Sequence, residues 1–338
     1  MIDLRSDTVT RPCQAMREVM AQAEVGDDVF GDDPTIKRLE QKTAEMAGHE
    51  AGLFMPSGTQ SNLVGLLAHC QRGDEYIVGQ QAHTYKYEAG GAAVLGSIQP
   101  QPIEFEANGT LDLKKVEAAI KPDDCHFARS RLLALENTVG GKVLPLKYLL
   151  EARQFTLQHD LILHLDGARA FNAAVALDVP LREITAHFDS VSLCLSKGLG
   201  APVGSLLCGS EPFIKEAHKW RKMVGGGMRQ AGILAAAGLY AIEHNVQRLK
   251  QDHDNAFWLA QQLRAIPEIM ANDDSLRQET NMVFVTLPEK IATSLCDKLK
   301  EQGILIVQSN PLRIVVHKDV DKNDLLRFVI AIKKEVMS

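Results

Sequence analysis

The chain has 338 residues, of which 45% are hydrophobic and 24% charged. These proportions exclude a disordered or collagen-like chain, and the length predicts two globular units or one large α/β unit with an appendage. The net charge of −6 argues against a nucleic-acid partner, which needs a basic face, but leaves room for a local basic pocket for a small anion.

The first twelve residues, MIDLRSDTVTRP, are mixed polar and read as an extended arm ending at Arg11-Pro12. They lack the apolar stretch of a signal peptide, and no apolar run reaches the roughly 18 residues that span a bilayer. Asp33-Pro34 predicts a helix start with Pro at its first position, followed by an apolar face of Leu39, Thr43, Met46 and Ala47. From about residue 51 strands and helices alternate. AGLFM runs into a Ser-Gly-Thr turn and a helix, and further strands are expected at EYIVGQ, SIQPQPIEF, RLLALEN, LILHLDGA, SVSLCLSKG and VGSLLCG. Helices are expected over 84–96, 111–120 and 145–160. This alternation predicts a mostly parallel sheet covered on both faces. A long helical stretch follows from Arg229 to Ile266, then two strand-like runs (TNMVFVTL, LRIVVH) with two helices. The expected organisation is an arm (1–14), a large α/β domain (15–244) and a small C-terminal α+β domain (245–338). The six cysteines form no CxxC motif, so neither a zinc pattern nor a redox motif is expected, and the chain reads as reduced and cytoplasmic.

Lys197 follows an apolar strand and precedes two glycines. At the carboxyl end of a sheet strand it lies where open α/β folds bind ligands, and a partly desolvated amine is suited to Schiff-base chemistry; a surface loop lysine is the plainer alternative. Asp166 ends another apolar strand 31 residues earlier, an interval that fits one helix and one strand. A buried carboxylate needs a cationic partner, and the protonated ring nitrogen of pyridoxal phosphate is one; helix capping is the competing role. PSGTQSN opens a helix with free N–H groups and hydroxyls suited to a phosphate. WRKMVGGGMRQ sets Arg221, Lys222 and Arg229 around three glycines. Among eleven histidines, His83 stands just past a strand at the carboxyl edge and His126 lies between a helix and a strand, whereas His69, His159, His244 and His253 read as helix-surface residues. No HExxH spacing supports a metal.

Together, MIDLRSDTVTRP, GDDVFGDDPT, PSGTQSN, LENTVGGKVLP, LHLDGAR, LSKGLGAPVGSLL and RKMVGGGMRQAG resemble the low-specificity L-threonine aldolases, pyridoxal-phosphate enzymes of fold type I. The resemblance covers nearly the whole chain and is densest over 1–245. It implies a large domain with a seven-stranded sheet between helices and a homotetramer, a dimer of dimers with shared active sites, acting on a small amino acid. It also implies roles. Lys197 would hold the cofactor as a Schiff base, Asp166 would pair with its ring nitrogen, and His83 would stack on the ring. Gly58 and Thr59, with Ser57 less firmly, would bind the phosphate, reached by Lys222 and Arg229 from a neighbouring subunit. Ser6, Arg169 and Arg313 would hold the substrate carboxylate, with Arg169 also at the cofactor. His83 and His126 would lie by the β-hydroxyl, with Glu88 a weaker candidate base. The implied reaction is retro-aldol cleavage of L-threonine or L-allo-threonine to glycine and acetaldehyde. β-Elimination or transamination, and cofactor binding without turnover, are the alternatives. Two departures from the family pattern, Val139-Gly140 in place of His-Asn and Phe30 in place of Tyr, bear on substrate range.

Overall fold

The computed structural model describes residues 1–269 and 276–337. Its strands are β1 (Ile2–Asp3), β2 (Ala51–Met55), β3 (Asp74–Gly79), β4 (Gln99–Ile103), β5 (Arg129–Glu136), β6 (Ile162–Gly167), β7 (Ser190–Cys194), β8 (Ser205–Gly209), β9 (Leu276–Glu279), β10 (Met282–Val285), β11 (Ile304–Leu305) and β12 (Leu312–Val315). Seven of them form the central sheet in the order β2-β8-β7-β6-β5-β3-β4. The fold is the expected α/β sandwich around a mostly parallel seven-stranded sheet. Every residue of β3, β7 and β8 is buried, because a sheet covered on both faces has no solvent side to alternate with.

β8 alone runs antiparallel to its neighbours, and this reversal sets the geometry of the site. β3, β5, β6 and β7 are parallel and end at one edge. Because β8 reverses the direction, β2 is parallel to them again. Met55 and Cys194 both pair with Ser205, so the turn after β2 and the loop after β7 emerge side by side at that edge. The helix Gly58–His69 starts there, capped by Ser57, whose Oγ accepts the Gln60 N–H at 3.2 Å.

The Asp33-Pro34 signal corresponds to the helix Pro34–Ala47, with Asp33 Oδ1 accepting the N–H groups of Thr35 and Ile36, both at 3.0 Å. Gly48, at φ 72°, ends it in the left-handed conformation that glycine adopts at least cost. Two expected helices are broken. The stretch 84–96 splits into His83–Lys86 and Gly91–Gly96, separated by Ala89 and Gly90 at positive φ; the glycine pair permits a reversal that leaves Glu88 buried. The stretch 229–266 splits into Gly232–His244 and Leu249–Arg264. At the break, Asn245 Nδ2 donates to the Leu199 carbonyl (2.7 Å) and Arg248 Nη2 to that of Gly198 (3.2 Å), tying the interruption to the loop after Lys197.

The C-terminal part has its own apolar core. An antiparallel sheet β12-β10-β9 is packed by the helices Leu249–Arg264, Glu289–Glu301 and Lys322–Met337. Leu249 still belongs to the core of the large sheet, whereas Ala256 and the residues after it belong to the second core. Ile2 and Leu4 are buried in that second core, and β1 pairs in parallel with β11, so the arm is an integral part of the C-terminal layer. No helix among the described residues is long and apolar enough to cross a membrane.

Candidate active site

Asp166 stands at the end of β6 and is 3% exposed. Its Oδ2 accepts from Asn62 Nδ2 at 2.9 Å and its Oδ1 from the Ala168 N–H at 3.1 Å. No cation among the described residues is paired with it. Asn62 Nδ2 also donates to Glu88 Oε1 at 2.9 Å. Glu88 Oε1 in turn lies 2.8 Å from His83 Nδ1, and the His83 backbone N–H donates to Glu136 Oε2 at 2.8 Å. Three carboxylates thus converge on one edge, and two of them, Glu136 and Glu88, are shifted in pKa. Burial, with the Asp166 charge added, pushes Glu136 up to about 7. Burial also raises Glu88. The bond to Glu88 raises the His83 imidazole against its own desolvation.

Lys197 lies three residues beyond β7 and is partly buried. Its carbonyl accepts from Thr10 Oγ1 (2.8 Å) and from the Gly200 N–H (2.9 Å), which fixes its backbone, while its amine makes no hydrogen bond among the described residues. The Lys197 charge is felt at Asp7, Glu136 and His83, so the amine faces the same cleft.

Arg169, the residue before the helix Ala170–Leu177, donates from Nε and Nη2 to Asp7 Oδ2 (2.9 Å) and Oδ1 (2.6 Å). This pair uses Nε and one Nη2 hydrogen, which leaves the Nη1 hydrogens and the second Nη2 hydrogen as a further two-donor face for a ligand carboxylate. Arg313 differs. It sits on β12 with one side-chain hydrogen bond, from Nη2 to the Arg5 carbonyl at 3.2 Å, and no acidic partner among the described residues. Burial and the Arg169 charge lower its pKa from the usual arginine value, which places it beside Arg169. Ser6 Oγ accepts the Thr8 N–H at 3.2 Å and caps the turn that carries Asp7.

Gly58 and Thr59 open the Gly58–His69 helix. Beside them Ser205 Oγ is buried without a partner, 3.5 Å from where a Cβ on Gly58 would stand. Thr138 Oγ1, just past Glu136, is likewise orphaned. Lys222 is exposed in the last turn of the helix Glu211–Met223, and Arg229, also exposed, donates to both oxygens of Asp27 (3.2 and 3.0 Å).

Within one chain His126 stands apart from these residues. It stands three residues before β5 begins, and Glu136 is at the other end of that strand. Eight residues of strand extend roughly 23 Å, so His126 lies at the opposite edge of the sheet, hydrogen-bonded to Asp124 (2.6 Å) with its side chain 80% exposed. His69 and His253 also depart from the surface reading. His69 bonds to Ser190 Oγ at 2.7 Å and stacks on Phe213 at 4.1 Å, and His253 meets Asn172 at 3.2 Å. Asn62, Glu136 and Asp7 were not expected at the site. Asn62 is one helical turn beyond Gly58 within PSGTQSN, and Asp7 directly follows Ser6, so each stands next to a recognised position.

The donor set fits pyridoxal phosphate. A buried carboxylate with no cation suits a protonated ring nitrogen. A free amine lies at the same edge, and a helix N-terminus with an orphaned hydroxyl beside it suits a phosphate.

Comparison with known proteins agrees with this geometry. Residues 3–290 match the beta-eliminating lyase family. The chain is 60% identical to the low specificity L-threonine aldolase of Escherichia coli K12 over 325 residues, covering 96% of each chain. It is 45% identical to a probable low-specificity L-threonine aldolase of Arabidopsis thaliana, covering 96% of this chain and 94% of that one. A solved Leishmania major threonine aldolase superposes with a TM-score of 0.83 at 20% identity, covering 99% of this chain and all of the other, a likeness of fold. The chain therefore belongs to the beta-eliminating lyase family, among its low-specificity L-threonine aldolases.

Proposed function

We propose that this chain is an aldehyde-lyase that cleaves the Cα–Cβ bond of β-hydroxy-α-amino acids, L-threonine and L-allo-threonine foremost, to glycine and acetaldehyde or the corresponding aldehyde. It does so with pyridoxal phosphate held as a Schiff base on Lys197, in a cytoplasmic homotetramer whose active sites are shared between subunits. The observation that carries the reading is the buried Asp166, with no paired cation among the described residues, at the sheet edge from which Lys197 also emerges.

When bound, the cofactor supplies an electron-poor ring that accepts the electron pair of the breaking bond. The chain's own residues do the rest. Asp166, oriented by Asn62 and the Ala168 N–H, would hold the ring nitrogen. Gly58 and Thr59 hold the phosphate, with Lys222 and Arg229 contributed by a neighbouring subunit. Ser6, Arg169 and Arg313 hold the substrate carboxylate and so orient the bond to be broken, with Arg169 anchored by Asp7. His83 Nδ1 is committed to Glu88, which leaves Nε2 as the atom that takes the β-hydroxyl proton, directly or through a water. A neighbouring subunit's copy of His126 is the other imidazole for that step.

The test is reconstitution. The purified protein with pyridoxal phosphate should show a visible absorbance band and release acetaldehyde and glycine from L-threonine. Lys197→Ala should lose both band and turnover. Ammonia and an oxo acid in place of acetaldehyde would replace this reading by β-elimination, and a band without any product would make the chain a cofactor-binding protein.

A further inference from the structure

Behind the site, a line of polar side chains runs through the interior. Asn62, Gly65 and His69 share one face of the Gly58–His69 helix. His164 and Ser190 lie on β6 and β7 and are direct register partners. His164 Nε2 is 3.4 Å from Asn62 Oδ1, its Nδ1 is 2.8 Å from Ser190 Oγ, and Ser190 Oγ is 2.7 Å from His69 Nε2. Asn62, His164 and Ser190 are each at most 2% exposed. Asn62 closes the line on Asp166.

The proton positions along this line follow from one constraint. Asn62 Nδ2 faces two carboxylate oxygens, Glu88 Oε1 and Asp166 Oδ2, so its two hydrogens go there and its Oδ1 only accepts. His164 Nε2 must then carry a proton. Burial drives the His164 pKa down to about 3, so the ring is neutral and its Nδ1 accepts from the Ser190 hydroxyl. That hydroxyl, its hydrogen spent, accepts from His69 Nε2, and His69 is also held neutral by burial, at about 3. Every donor therefore points the same way, from His69 toward Asp166, and bonds aligned in this manner polarise one another in a low-dielectric interior. Gly65 makes the line possible: a Cβ there would stand 3.0 Å from His164 Cε1.

We propose that Asn62, His164, Ser190 and His69 form a positioning relay of uniform hydrogen-bond direction that locks the Asp166 carboxylate in place for the cofactor's ring nitrogen, with Asn62 as the hub that also joins Asp166 to Glu88 and His83. None of the four is a catalytic residue; they act through Asp166. The relay rests on the cofactor reading above.

Its first test needs no cofactor. Long-range 1H–15N spectra of the histidine-labelled apo-protein at neutral pH should show His164 and His69 both as neutral Nε2–H tautomers. An Nδ1–H tautomer at His164 would overturn the relay. The second test measures the pyridoxal phosphate dissociation constant and band position in Asn62→Ala, Ser190→Ala and Gly65→Ala, alongside Asp166→Ala. Affinity should fall about tenfold in Asn62→Ala and about threefold in Ser190→Ala, the range of one lost buried hydrogen bond near and far from the charge. Gly65→Ala, a helix-favouring change, should weaken binding without loosening the fold. In Asn62→Ala, His69 should become a tautomer mixture although it does not touch residue 62, a response a merely structural asparagine would not give. Unaltered affinity in all three relay variants, with a normal band in the unmutated protein, overturns the relay alone. Absence of a band in the unmutated protein overturns the cofactor reading and the relay with it.

Discussion

Asp7 and Arg169, far apart in sequence, form a two-bond ion pair at 2.9 and 2.6 Å in which the carboxylate is wholly buried. Burial alone would raise the Asp7 pKa; the Arg169 charge and hydrogen bonds outweigh it and hold Asp7 at about 2, below its ordinary 3.8. The stability this gives is fully present above pH 4 and is lost as pH falls toward 2. Asp7→Ala should lower unfolding stability by about 3 kcal/mol, the low end for stranding a buried charge, and flatten the acid limb between pH 4 and 2. Thermal melts across that range check it, and an unchanged melting temperature would refute the pairing.

Arg313 is the guanidinium that faces the cleft without an acidic partner among the described residues. Removing a charge-assisted contact to a substrate carboxylate costs about 1.5–3 kcal/mol. Arg313→Ala should therefore raise KM for L-threonine roughly 10- to 100-fold with kcat little altered, and Arg313→Lys should recover only part. A kcat loss at unchanged KM would move Arg313 out of substrate binding.

Glu88 raises the His83 pKa through the 2.8 Å bond. If His83 Nε2 takes the hydroxyl proton, activity requires the neutral ring and rises with pH through that pKa. Glu88→Gln removes the carboxylate, lowers the His83 pKa and should move the acid limb of kcat/KM to lower pH. A limb that stays in place, or moves upward, would assign the proton to another group.

Asp33 is 1% exposed, and its two oxygens accept the N–H groups of Thr35, Ile36, Gly232 (2.8 Å) and Gly26 (3.2 Å). It caps one helix and seats the start of another. Asp33→Ala should cost about 2 kcal/mol or more, since a cap and buried donors lose their acceptor together. Asp33→Asn should cost less. Denaturant unfolding of both variants decides this.

The strands that lead to Asp166 and Lys197 were legible because a charged residue following an apolar run is rare, and the helix at Pro34 because capping is a local rule. Long-range pairing was not. The reversal of β8, the arm's membership in the C-terminal core and the Asp7–Arg169 pair depend on contacts between distant segments, which no window of sequence contains. Helix propensity misread 84–96 because the requirement to bring Glu88 inward overrides it. The place of His126 was not legible for a related reason: a motif names a residue but not the edge of the sheet on which one chain puts it.

The joining of β1 to β11 has a consequence for biosynthesis. Ile2 pairs with Ile304, the Val315 N–H donates to the Leu4 carbonyl at 3.0 Å, and His317 meets the Asp3 carbonyl at 2.7 Å. Residues 2–4 cannot take their places until residues 304–317 have been made, so Ser6 and Asp7 settle only after the C-terminal layer has formed.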